Sequence, residues 1–223
     1  MLCDYLGDNG ASTCGQCDND LDKFVHVTMD QEWEEKIEAF RSEYFPVLEV
    51  ANSKMNLVNG VAGSYYGVST VGAAIHRSKY EHGGDFPDFL LKLALKAYRN
   101  CFGKQKFDLI VYVPPTESGD LVKNFAVKVA STLGIPISHN LKKVNVTKPQ
   151  KIFQNSLLKC DNVAGAFDFV QANEISGKSV LVIDDIFDSG ATIKEIGKLL
   201  TQFGAIKVAP LVIAKTVGGD LAE

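Results

Sequence analysis

The sequence predicts an α/β fold in which a mostly parallel sheet is covered by helices on both faces. Three observations predict it. Strand-like and helix-like stretches alternate through the second half of the chain. The strands are apolar at successive positions, as in Leu109-Ile110-Val111-Tyr112-Val113 and Val180-Leu181-Val182-Ile183, the pattern of strands buried on both faces. The stretches between them are amphipathic at helical spacing.

Residues 28–45 read as the first helix. Thr28 or Asp30 can cap it, and Glu32, Glu34 and Glu35 suit the positive end of its dipole. Trp33, Ile37, Phe40 and Tyr44 recur at three and four, so Trp33 is expected in the core. Residues 55–76, rich in Val, Tyr, Ser and Gly, read as short strands with tight turns. Residues 86–102 form an amphipathic helix whose stripe includes Cys101, opened by Pro87 and closed by Gly103. The strand at 109–113 ends at Pro114-Pro115, where an X-Pro bond is a candidate for the cis form. Helices follow at 117–133, closed by Gly134, and at 191–203, closed by Gly204. Apolar strands are expected at 178–186 and 207–215.

Composition excludes several classes. The 223 residues are 46% hydrophobic and 22% charged, which is ordinary for a packed chain and rules out a disordered one. No apolar run reaches membrane-spanning length. The first 30 residues lack a basic start followed by an apolar stretch, so a cytoplasmic protein is expected. Residues 1–22 carry five acids and no Lys or Arg; the remainder holds 23 basic and 22 acidic residues. Neither part has the basic footprint of a stand-alone DNA binder. Three of the five cysteines, Cys3, Cys14 and Cys17, crowd the head. In a reducing compartment such clustering suggests metal rather than disulfides.

The segment richest in chemistry runs from Val180 to Thr192. Four apolar residues lead to Asp184-Asp185 at the carboxyl end of a strand, where open α/β sheets bind ligands. Asp188-Ser189-Gly190-Ala191-Thr192 then turns into a helix. Small residues let backbone N–H groups approach a phosphate, and the helix N-terminus favours its charge. The acids suit ribose hydroxyls or a magnesium shell. The combination describes a sugar phosphate lying across a strand end.

This order resembles the phosphoribosyl pyrophosphate (PRPP) signature of type I phosphoribosyltransferases. The resemblance implies that fold, with a small hood near residues 50–80 and a domain spanning 28–223. Within that superfamily, residues 55–216 are similar to the ComF-like, competence-associated group. The similarity rests on Tyr65-Tyr66-Gly67, His76-Arg77-Ser78-Lys79-Tyr80-Glu81-His82-Gly83, Val113-Pro114-Pro115, Lys123-Asn124-Phe125-Ala126, Thr147-Lys148-Pro149-Gln150-Lys151 and Asn162-Val163-Ala164-Gly165-Ala166-Phe167. Lys123 stands for the group's arginine, and its Asn-Gln pair is missing.

The resemblance implies magnesium-dependent transfer of phosphoribose to an unknown acceptor. Asp184 and Asp185 would hold the ribose hydroxyls, and Asp188, Ser189, Gly190, Ala191 and Thr192 the 5-phosphate. Asp188 either takes a proton from a base or caps the loop. Pro115, Thr116 and Glu117 match the pyrophosphate turn. Lys79, Lys148 and Lys151 either join it or are plain surface. Residues 142–160 read as a lid over the pyrophosphate.

The head, residues 1–27, resembles the end of the zinc-binding region of RecQ-family DNA helicases. Tyr5-Leu6-Gly7-Asp8 and Cys14-Gly15-Gln16-Cys17-Asp18-Asn19-Asp20 carry the likeness. Asp20 stands where that family has a cysteine. A degraded zinc site of Cys14, Cys17 and Asp20 is therefore implied, together with a DNA helicase or DNA-processing partner. Two function classes stand beside each other: an enzyme, and a non-catalytic module sensing PRPP or a nucleotide. A DNA-contacting zinc module is a third, opposed by the charge distribution. Oligomeric state is left open.

Overall fold

The computed structural model describes residues 30–67, 70–81, 85–115, 119–144 and 163–217. The chain divides into two units, Met1–Tyr44 and Phe45–Glu223. The division falls after Tyr44, so the first helix groups with the head rather than with the body. The expected zinc residues Cys14, Cys17 and Asp20 lie outside the described residues.

In the first unit α1 spans Gln31–Glu43. Asp30 caps it, its carboxylate accepting from the Glu32 N–H at 3.1 Å. The expected burial of Trp33 is corrected: Trp33, Phe40 and Tyr44 are 59%, 61% and 50% exposed. The periodicity made a helix, but the described part of its unit offers no sheet for the stripe. The side chains pack locally instead. Phe40 and Tyr44 stack at 5.0 Å, and Lys36 Nζ lies 5.3 Å from the Trp33 ring centre.

The second unit is built on a five-stranded sheet. Its strands are β1 (Val47–Leu48), β2 (Gly60–Tyr66), β3 (Leu109–Tyr112), β6 (Ser179–Phe187) and β7 (Lys207–Thr216), in the order β1-β2-β7-β6-β3. Only β1 runs antiparallel; β2, β7, β6 and β3 are mutually parallel. Their carboxyl ends therefore open on one side, as the α/β reading requires. Residue 137 bridges Ile110 in parallel and extends the β3 edge. A separate antiparallel ribbon joins β4 (Leu141–Lys143) to β5 (Phe167–Phe169).

Helices α2 (Thr70–Tyr80), α3 (Asp88–Phe102) and α4 (Leu121–Leu133) cover one face, and α5 (Ala191–Gln202) the other. Strand alternation assigns the layers. Leu181 and Ile183 pack with Ile75, Leu90 and Phe125, while Val180 and Val182 pack with Ile193, Ile196 and Leu200. This explains why β6 is apolar at every position from Val180 to Ile183, before its two acids.

Residues 55–76 depart from the expected short strands and turns. Gly60–Tyr66 is one seven-residue strand of the main sheet, and a helix begins at Thr70. The glycines serve close packing. A Cβ on Gly60 would lie 2.2 Å from the Pro210 carbonyl oxygen and 2.4 Å from Pro210 Cγ. One on Gly63 would meet Leu93 and Ala94 of α3 at 3.2–3.3 Å. Only Gly67, at φ +127°, has the conformation of a turn glycine. The region expected as a hood thus lends its strand to the main sheet and its helix to one face.

Cys101 is exposed rather than part of the core, because α3 turns its Leu90–Ala94–Tyr98 face to the sheet. No peptide bond is cis among the described residues, so Pro114 and Pro115 are both preceded by trans bonds.

Candidate functional site

Strand β6 carries Asp184 and Asp185 to the carboxyl end of the parallel strands and continues to Phe187. The two carboxylates alternate across the sheet. Asp185 shares the side of Leu181 and Ile183, facing the α2–α4 layer; Asp184 shares the side of Val180 and Val182. They therefore straddle the strand end. Asp184 Oδ1 accepts from the Asp185 N–H at 2.8 Å.

The two acids sit in unequal surroundings. Asp185 is only 5% exposed. Its Oδ2 lies 2.7 Å from Lys79 Nζ, with the two side chains 8% and 15% exposed. That contact is a close ion pair in which the Lys79 ammonium covers the buried Oδ2. Burial alone would pull the Lys79 ammonium down, but the charge and contact of Asp185, with help from Asp184, hold it above its usual range. Asp184 has no such partner of its own. Burial first, and the Asp185 charge second, push its carboxyl up to about 8 against the opposing pull of the Asp185 N–H and Lys79. The pair thus sets an acid held against a lysine beside a carboxyl that keeps its proton near neutrality.

The loop after β6 is shaped by one residue. Gly190 has φ +75° and stands immediately before α5. A Cβ there would meet the Phe187 ring at 2.9 Å and Val50 at 3.2 Å. Both the backbone conformation and the space demand glycine. The Lys194 N–H donates to the Gly190 carbonyl at 2.9 Å, closing the first helical turn. Glycine contributes no capping side chain, and a phosphate is the natural complement of such a helix start. Ser189 Oγ accepts weakly from the Ala191 N–H at 3.4 Å. Asp188 is exposed, and its Oδ1 accepts from the Thr216 hydroxyl at 3.0 Å. On α5, Glu195 accepts from the Gly165 N–H at 2.8 Å, tying the helix to the segment before β5.

The structure brings Asp184, Asp185, Asp188, Ser189, Gly190, Ala191 and Thr192 into one continuous strand–loop–helix unit. Lys79 is placed on Asp185, because the last turn of α2 carries its Nζ to that buried charge. Pro115 follows β3 and is half-buried. Thr116, Glu117, Lys148 and Lys151 lie outside the described residues, as does most of the expected lid. Asn124 donates to Asp85 at 2.8 Å beside a Lys128–Asp85 ion pair of the same length. It fastens α4 to the stretch before α3. Sequence reasoning missed the contact of Tyr112 with His139 Nδ1 at 3.2 Å, since it joins the end of β3 to a segment 27 residues on. It also missed the Lys79–Asp185 pairing and the Thr216–Asp188 bond.

Among the described residues, no group of three His, Cys, Asp or Glu side chains is placed to hold a metal ion. No helix among them is long and apolar enough to cross a membrane.

A parallel sheet with an acid pair and a small-residue loop at its carboxyl end is an open α/β domain whose candidate ligand site lies at the strand ends. The chain belongs to the phosphoribosyl transferase domain family, whose sequence pattern matches residues 92–219. It is similar to the purine biosynthesis transcriptional repressor PurR of Bacillus subtilis (strain 168), at 28% identity over 140 residues. That match covers 60% of this chain and 45% of the repressor, so the chain spans less than half of this curated relative. Among solved structures it is similar to the glutamine PRPP amidotransferase of B. subtilis complexed with ADP and GMP. Identity there is 25% and the TM-score 0.35, covering 48% of this chain and 22% of the other. It is also similar to a purine phosphoribosyltransferase of Pyrococcus horikoshii, at 19% identity and TM-score 0.37, covering 59% and 76%.

Proposed function

We propose that this chain binds PRPP across the end of β6 and transfers its phosphoribosyl group to an acceptor, releasing pyrophosphate. The observation that carries the reading is the acid pair followed by the Gly190 loop at the start of α5. The 5-phosphate sits on the backbone of residues 188–192, against the helix N-terminus. Asp184 and Asp185 take the ribose hydroxyls. Asp185 accepts through its carboxylate oxygens; Asp184 donates through its retained proton or accepts through its other oxygen.

In this reaction the acceptor nucleophile forms a bond to the ribose anomeric carbon. The bond from that carbon to pyrophosphate breaks, and its electron pair leaves with the pyrophosphate. The protein's share is to hold the sugar at the correct angle, exclude water, and offset the departing charge. Magnesium, bound together with PRPP, would supply positive charge against the pyrophosphate, with Asp184 and Asp185 as the acids that would face its shell. By the motif they match, Pro115, Thr116 and Glu117 would receive the leaving group, with Lys148 and Lys151 as added cations. Asp188 would accept the acceptor's proton.

A second reading is favoured by one observation, the similarity to a transcriptional repressor. In it the same site binds PRPP or a nucleotide without turnover and reports occupancy to a DNA-processing partner. The ComF-like motifs around Lys79 and Lys148, and the helicase-like head with Cys14, Cys17 and Asp20, support such a link. Pyrophosphate release from PRPP with Mg²⁺, across a panel of nucleobases, separates the readings. Base-dependent release favours the transferase. Tight PRPP binding without release under any base favours the sensor. Absence of PRPP binding overturns both.

A further inference from the structure

We propose that Lys79 is the specificity-determining residue that lets this site distinguish ribose from 2-deoxyribose. The inference rests on the reading that a sugar phosphate binds at the end of β6. Lys79 belongs to α2 and Asp185 to β6, yet Nζ and Oδ2 meet at 2.7 Å with both side chains largely withdrawn from water. A lysine on a solvated face needs no such burial. Nor is the pair required to fasten α2, which already packs Val71, Ala74 and Ile75 into the core.

The pair has a chemical consequence at the site. A carboxylate as buried as Asp185 is costly to keep ionised without an opposite charge beside it. Lys79 supplies that charge and fixes the carboxylate's orientation. Lys79 engages Oδ2, and a carboxylate has about four acceptor lone pairs, so the group retains acceptor capacity. A sugar hydroxyl donating to an ionised, oriented carboxylate makes a bond about twice as strong as one to a neutral acceptor. A sugar lacking that hydroxyl leaves the buried acceptor unfilled, which is how polar sites reject deoxy analogues. Asp184 and Asp185 straddle the strand end, one on each side of the sheet. Two adjacent hydroxyls can therefore be read at once, and Lys79 gives the Asp185 half its strength. Lys79 acts through Asp185 and is a positioning residue.

The test compares ribose 5-phosphate with 2-deoxyribose 5-phosphate by calorimetry on the full chain. Wild type should prefer the ribose compound by about tenfold or more. Lys79→Met should lose most of that preference, the loss falling on ribose 5-phosphate far more than on the deoxy sugar. Lys79→Arg, which keeps the charge, should restore a preference. If Lys79→Met does not fold, Lys79→Gln, which keeps a donor and removes the charge, carries the same comparison. A variant that keeps the full preference, or that weakens both sugars equally, overturns the assignment and returns Lys79 to a structural role. Wild type that binds neither sugar overturns the site itself, a result distinguishable from either.

Discussion

The Thr216 hydroxyl donates to Asp188 Oδ1 at 3.0 Å, joining the end of β7 to the first residue of the loop that follows β6. The loop is thereby anchored from the neighbouring parallel strand. Asp188 has two possible duties, fastening the loop and taking a proton, and this bond separates them. Thr216→Val should weaken ribose 5-phosphate binding several-fold, roughly the worth of one hydrogen bond to a charged group. Asp188→Asn keeps an oxygen facing Thr216, so it should preserve sugar-phosphate affinity while lowering turnover. Calorimetry and pyrophosphate release read the two effects. Equal turnover in Asp188→Asn and wild type would leave Asp188 a fastener only.

Gly190 is the least replaceable residue of the loop. At φ +75°, with the Phe187 ring 2.9 Å from any Cβ, alanine would be strained and crowded. Gly190→Ala should cost about 1–3 kcal/mol of stability and abolish phosphate binding, read by denaturant unfolding and calorimetry. Gly60→Ala should cost a similar amount, since its Cβ would press on the Pro210 backbone. Its site residues are untouched, so the fraction that folds should bind normally.

The Asp184 carboxyl gives the fold a pH dependence. Its folded value is raised to about 8 from the ordinary 3.8, so the folded state keeps a proton that the unfolded chain releases. The associated stability is fully present below about pH 3.8 and is lost as pH rises toward 8. Asp184→Asn removes the effect. The melting temperature of Asp184→Asn minus that of wild type should grow more positive from pH 5 to pH 8.5. A pH-independent difference would mean that Asp184 ionises normally.

Lys148 and Lys151 are assigned to the pyrophosphate by motif alone. Changing both to alanine should weaken PRPP with Mg²⁺ more than ribose 5-phosphate. Equal effects on the two ligands would return them to plain surface.

The parallel sheet was legible because its strands are buried on both faces, and Leu181, Val182 and Ile183 announce that directly. The acid pair and loop were legible because every part lies within thirteen consecutive residues. What could not be read were contacts between distant elements. Glycine means a turn or a close approach, and only Pro210, far along the chain, shows which applies at Gly60. Helical periodicity at Trp33 and Phe40 predicts one face, not whether anything covers it. Cys101 fits the α3 stripe by spacing but lies at its exposed margin. Lys79 was singled out by resemblance, yet its partner is 106 positions away and only folding reveals it.

The central claim is that a sugar phosphate binds at residues 184–192. Calorimetry of PRPP with Mg²⁺, and of a nucleoside monophosphate, on wild type and on Asp184→Asn/Asp185→Asn tests it most directly. The account predicts saturable binding to wild type and loss of about two orders of magnitude or more in the double variant, the worth of two hydroxyl contacts. Equal affinity in a folded double variant would contradict it.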